Sequence, residues 1–122
     1  MNQVDIKLNL PKPPSLNKLY SQKHWAVRKK IKDDYNKEIL RELGNYDAFT
    51  CESYRLFITY NARLDVDNVI LLSKFVSDCL VKEGYVQDDS PKFYGEIRIR
   101  YKGDLKKDQF IAVIKCNDFQ LK

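Results

Sequence analysis

Residues 64–83 contain neither glycine nor proline, and they carry Val69, Ile70, Leu72, Phe75, Val76, Cys79 and Leu80 at spacings that recur every three or four positions. This pattern predicts a helix that begins at residues 65–67, runs to Glu83 and is ended by Gly84. Its apolar face is too wide for a helix resting alone on a surface, so the chain must supply a second layer to cover it. Short β-type segments do so. Val4, Ile6, Leu8 and Leu10 alternate with polar residues until Pro11, Pro13 and Pro14 intervene, the period-two signature of a half-buried strand cut off by residues that cannot donate a backbone hydrogen bond. Residues 50–60 (TCESYRLFITY), 94–101 (YGEIRIRY) and 109–116 (QFIAVIKC) are rich in β-branched and aromatic side chains and predict three more strands, the last two joined by a turn around Gly103 and Asp104. A second glycine- and proline-free stretch, 24–43, meets Gly44 and Asn45 and predicts the other helix. The order β-α-β-α-β-β implies an α+β fold: a mixed β-sheet with two main helices, in one domain spanning residues 1–122.

At 122 residues the chain is long enough for one hydrophobic core. No apolar run approaches the roughly 20 residues of a membrane span, and the N-terminal MNQVDIKLNL lacks the layout of a signal peptide. The expectation is a cytoplasmic protein with no membrane partner and no small-molecule cofactor. Cys51, Cys79 and Cys116 are odd in number, far apart and in no CxxC pair, so they read as plain buried thiols rather than as a disulfide framework or a zinc site. With a single histidine, His24, a histidine-based metal site or a Ser-His-Asp triad has little support.

The most informative residues for function are carboxylates. Asp65 and Asp67 stand at the junction of the second strand and the second helix, two residues apart, so an extended approach turns both to one side. On the helix, positions 67, 71, 74 and 78 share a stripe carrying Asp67, Lys74 and Asp78, interrupted by Leu71. Asp88 and Asp89 follow where the chain turns back toward the sheet. Hard divalent cations take oxygen ligands, commonly one or two carboxylates, and complete their shell with water and substrate phosphate. Asp65, Asp67 and Asp88 or Asp89 with Lys74 beside them would suit metal-assisted phosphodiester cleavage. A simpler reading stands next to it. Asp65, Asp67 and Asn68 are good helix caps, and Asp88-Asp89-Ser90-Pro91 is a good turn.

Four segments, PPSLNKLY (13–20), RLDVDN (63–68), the K-x-x-x-D-x-L of Lys74, Asp78 and Leu80, and GYVQDDSP (84–91), resemble in order the RusA-like Holliday junction resolvases of bacteria and phages. The resemblance spans most of the chain. It implies a Mg²⁺-dependent endodeoxyribonuclease, with Mn²⁺ able to substitute, whose metal ligands are Asp65, Asp67 and Asp89. It also implies a homodimer, a bacterial or phage setting, and branched DNA as partner. Typical members carry the helix lysine three residues after the asparagine, where this chain has Leu71. Lys74, one turn further on, takes that role if the helix has gained a turn.

The formal net charge is +5, and its distribution points the same way: from Ile6 to Lys32 there are eight Lys or Arg and no Asp or Glu. Lys18, Lys23, Arg28, Lys29 and Lys30, with Arg63 beside the aspartates, are candidate phosphate contacts. Tyr20, His24 and Trp25 among them either stack on bases or, for Trp25, fill the core. Arg98 and Arg100 alternate along one strand and form a second phosphate track or the solvent side of the sheet. Two rivals share the same sequence features: a catalytically silent DNA-binding module, and a protein-interaction factor of a mobile element.

Overall fold

The computed structural model describes residues 2–15, 19, 21 and 24–122. Its elements are β1 (Gln3–Leu10), α1 (Trp25–Leu43), β2 (Phe49–Thr50), β3 (Ser53–Asn61), α2 (Val66–Lys82), β4 (Tyr94–Tyr101), β5 (Gln109–Asn117) and β6 (Gln120–Leu121). Four strands form the main sheet in the order β1-β5-β3-β4, and β2 and β6 make a small second one. β5 is antiparallel to both of its neighbours, whereas β4 lies parallel to β3. The sheet is therefore mixed and the fold α+β. Among the described residues no helix is long and apolar enough to cross a membrane.

One face of the sheet carries the core. Ile6, Leu8 and Leu10 of β1, Tyr54, Leu56, Ile58 and Tyr60 of β3, and Phe110, Ala112, Ile114 and Cys116 of β5 are all buried, as the period-two alternation requires. α1 covers this face with Tyr35, Ile39 and Leu43, spaced by four. α2 adds Val69, Leu71, Leu72, Phe75, Val76, Cys79 and Leu80. Tyr35 and Phe75 join the two helices with ring centroids 5.4 Å apart. Full burial of such side chains contributes about 1.5–3 kcal/mol each, so this layer dominates stability. Ser73 and Ser77 are buried on α2 without loss of hydrogen bonding: Ser73 donates to the Ile70 carbonyl at 2.6 Å, and Ser77 bonds the Tyr54 hydroxyl at 2.7 Å.

Several expectations need correction. Ile70 is 47% exposed, outside the core, while Leu71 is buried, so the exposed stripe of α2 runs through Asp67, Ile70, Lys74 and Asp78. Trp25 is 69% exposed and fills no core position. The strand expected over 50–60 is split at Cys51 and Glu52, whose N–H groups donate to the Tyr85 and Asn117 carbonyls. No hairpin joins β4 to β5. Both edges of β5 are occupied, by β1 and β3, and residues 102–108 instead cross the end of β3. Asn61 fastens that crossing by donating to the Leu105 carbonyl at 2.7 Å and accepting from the Asp108 N–H. Finally, Cys51 and Cys116 form a disulfide with Cα atoms 5.4 Å apart. Their separation of 65 residues hid a proximity that strand pairing creates, whereas Cys79 is the buried free thiol expected.

Candidate metal and nucleic-acid site

β3, α2 and β4 form a β-α-β unit, in which the helix returns the chain from the carboxyl end of one strand to the amino end of its parallel neighbour. The two aspartate pairs therefore sit at opposite ends of α2. Asp65 and Asp67 lie at its N-terminus, beside the carboxyl ends of β3 and β4. Open sheets with parallel strands tend to bind ligands at that end, and a helix N-terminus attracts anions through its unpaired N–H groups and dipole.

Asp65 occupies the N-cap position with extended backbone (φ −64°, ψ 147°), and its carbonyl accepts the Asn68 N–H at 2.9 Å. Its carboxylate makes no capping hydrogen bond. Asp67 is in the first turn, and both side chains are exposed. The capping geometry is thus met by the backbone while the side-chain oxygens face outward. Asp65 borders an open crevice made of two adjoining cavities. One, of about 480 Å³, is lined by Tyr60, Arg63, Leu64, Asp65, Asn68 and Tyr101 among others. The next, of about 740 Å³, shares Ala62, Arg63 and Tyr101 with it and adds Lys12, Lys107 and Asp108.

Asp88 and Asp89 belong to the other end. Burial pushes the Tyr54 hydroxyl up to about 12, and the charges of Tyr94, Asp89 and Asp78 add to the shift while the Ser77 hydrogen bond opposes it. Burial likewise holds the Tyr94 hydroxyl at about 12, opposed by Ser73 and reinforced by Asp89. The two rings stack with centroids 4.7 Å apart at the start of β3 and β4. Asp89 therefore neighbours the middle and C-terminal half of α2. Within one chain the expected trio of Asp65, Asp67 and Asp89 is not brought together, and among the described residues no group of three His, Cys, Asp or Glu is arranged to hold a metal ion. The Asp88 carboxylate instead accepts the Asp89 N–H at 2.8 Å, the turn reading of that segment.

Lys74 stands between the two ends, 3.4 Å from Asp78 in an exposed i,i+4 pair. Of the basic N-terminal residues, Lys18, Lys23 and Tyr20 lie outside the described residues. Lys29 and Lys30 pair with Asp33 and Asp34 at 2.6 and 2.9 Å on α1. The hydrogen bond to Asp34 raises the Lys30 pKa, and that from Lys29 lowers the Asp33 pKa. Arg28 is half-buried. Arg98 and Arg100 share the open face of the sheet as expected, where Arg98 stacks 4.9 Å from the Phe57 ring centre and reaches Glu96 at 3.0 Å. Sequence reasoning missed Lys12, Tyr101, Lys107 and Asp108. The dibasic Lys106-Lys107 at a chain crossing was the signal available for one of them.

No protein-family model matches this chain, and no curated protein is significantly similar to it.

Proposed function

We propose that this chain is a Mg²⁺-dependent endonuclease that nicks branched DNA such as a Holliday junction, with Asp65 and Asp67 as its metal-binding carboxylates. The observation that carries the reading is the Asp65 carboxylate, which stands at a helix N-terminus without capping it and opens onto a crevice lined by Arg63. Two exposed carboxylates with room for water and a phosphate match what Mg²⁺ asks of a protein, and Mn²⁺ accepts the same oxygen donors. The ion, when bound, supplies Lewis acidity and neutralises charge on the scissile phosphate. Arg63 holds a neighbouring phosphate, the α2 N-terminus favours the anion, and Lys74 adds positive charge on the same helix. Among the described residues of one chain no three carboxylates are arranged to hold a metal ion, so the Asp89 of a second copy would complete the site and give the expected homodimer a concrete role.

A silent DNA-binding module is the second reading, favoured by the pairing of Lys74 with Asp78 and by buried Leu71 at the position where related motifs carry lysine. Nicking of a synthetic four-way junction separates the two. The nuclease reading expects nicks with Mg²⁺, none with chelator, and loss of nicking with retained binding in Asp67→Asn. Wild-type protein that cleaves no branched or flapped DNA contradicts it.

A further inference from the structure

We infer that the crevice at the carboxyl ends of β3 and β4 is a binding track for an unpaired stretch of nucleic acid, in which Lys12, Arg63 and Lys107 hold the backbone phosphates and Tyr101 stacks on a base. The inference deepens the nuclease reading, since the track leads to Asp65, but it concerns binding alone.

Three observations converge on this track. Lys12 follows β1, Arg63 follows β3 and Lys107 precedes β5, so three cations from three separate connections meet around one opening because all these strand ends lie on the same side of the sheet. Among the described residues none of the three is in an ion pair, unlike Lys29, Lys30, Lys74, Arg98 and Lys115, which all are. Tyr101 is 58% exposed yet held in place: Tyr60 meets its ring edge-on at 5.8 Å, and Gly103 has no side chain to cover it. A fixed, open aromatic face flanked by unpaired cations is what strand-tracking surfaces combine, phosphate neutralisation with base stacking. In a paired duplex the base faces are covered by their neighbours, so the tyrosine selects nucleotides freed at a branch, nick or flap. The two carboxylates of the lining, Asp65 and Asp108, repel a strand unless cations flank them, so binding should improve when a divalent ion is present. The competing surface is the open sheet face, where Phe57 is already covered by Arg55, Arg98 and Lys115 at 5.4, 4.9 and 5.0 Å.

The test is fluorescence anisotropy of labelled single-stranded and duplex oligonucleotides, titrated with full-length protein at several salt concentrations. The inference predicts that Lys12→Ala/Lys107→Ala weakens single-strand binding about tenfold or more and reduces the slope of log affinity against log salt by about 1.4, at roughly 0.7 per phosphate contact. Tyr101→Ala should weaken single-strand binding about fivefold to a hundredfold with an unchanged salt slope, and should leave duplex binding alone. Arg98→Ala/Arg100→Ala should change little, and unaltered melting temperatures check that each variant folds. Wild-type affinity and slope in the groove variants, loss of binding only in the Arg98→Ala/Arg100→Ala variant, or no binding of single strands by the wild type would each overturn the track. If the wild type binds through the groove but never cleaves, the track stands and the nuclease reading falls. If it cleaves while the groove variants bind normally, the reverse holds.

Discussion

The two ends of α2 carry similar residues in different surroundings. At the C-terminal end Asp78 and Asp89 neighbour a stacked tyrosine pair, two buried serines and, at the base of β3, a disulfide. At the N-terminal end Asp65 faces an open crevice with cations and an exposed tyrosine, and Asp67 is exposed beside it in the first turn of the helix. Acidic pairs that look equivalent in sequence, and are all exposed, thereby have different neighbours: packed tyrosines for Asp89 and a cation-lined crevice for Asp65. Carboxylate count is therefore a poor guide to a metal site. All of these carboxylates are exposed; what distinguishes Asp65 is the crevice with Arg63 that it lines.

The comparison predicts that changes at the closed end act on stability and changes at the open end on binding. The largest stability effect should come from the disulfide. Cross-linking positions 65 residues apart restricts the unfolded chain by about 4 kcal/mol in the chain-entropy treatment, so Cys51→Ser/Cys116→Ser should cost about 2–4 kcal/mol in denaturant unfolding. An unchanged midpoint would remove the disulfide from the account of this end.

Alkaline pH should act next. Folding raises the Tyr54 and Tyr94 hydroxyls from 10.0 to about 12, so the folded state keeps protons that the unfolded chain releases. Their contribution is complete below pH 10 and is lost as pH rises toward 12, at most about 3 kcal/mol per tyrosine. Melting temperature followed from pH 9 to 12 should fall steeply. In Tyr54→Phe it should start lower, by about 1–2 kcal/mol for the broken bond to Ser77, and fall less.

Smaller effects belong to the exposed groups. Lys74→Ala should shift stability by only about 0.2–0.5 kcal/mol, the scale of an exposed i,i+4 pair. A larger drop in nicking than in stability would mark Lys74 as serving the reaction. Asp65→Asn/Asp67→Asn should stay within about 0.5 kcal/mol of wild type in unfolding. A loss above 1 kcal/mol would return these aspartates to a structural role.

Much of the frame was legible because it is local. Both helices and the strands β1, β4 and β5 follow from periodicity and from Gly84, whose φ of +80° suits a residue without a side chain. The Lys74–Asp78 pair follows from helical spacing alone. What was hidden is non-local. The crossing of residues 102–108 depends on β5 having both edges occupied, and the disulfide depends on β3 and β5 being neighbours. Lys12 and Lys107, 95 positions apart, meet only because β1 and β5 pair antiparallel, with Leu10 opposite Phe110. Ile70 was misread because one apolar residue at the margin of a helical stripe has no sequence mark of which layer it faces.

The central claim, that the open end of α2 is the metal site, is tested most directly by Mn²⁺ binding followed by electron paramagnetic resonance on the wild type, Asp65→Asn/Asp67→Asn and Asp88→Asn/Asp89→Asn. The account predicts that bound Mn²⁺ disappears in the first variant and persists in the second, weakened at most severalfold if a second copy contributes Asp89. Wild-type Mn²⁺ binding in Asp65→Asn/Asp67→Asn would contradict it.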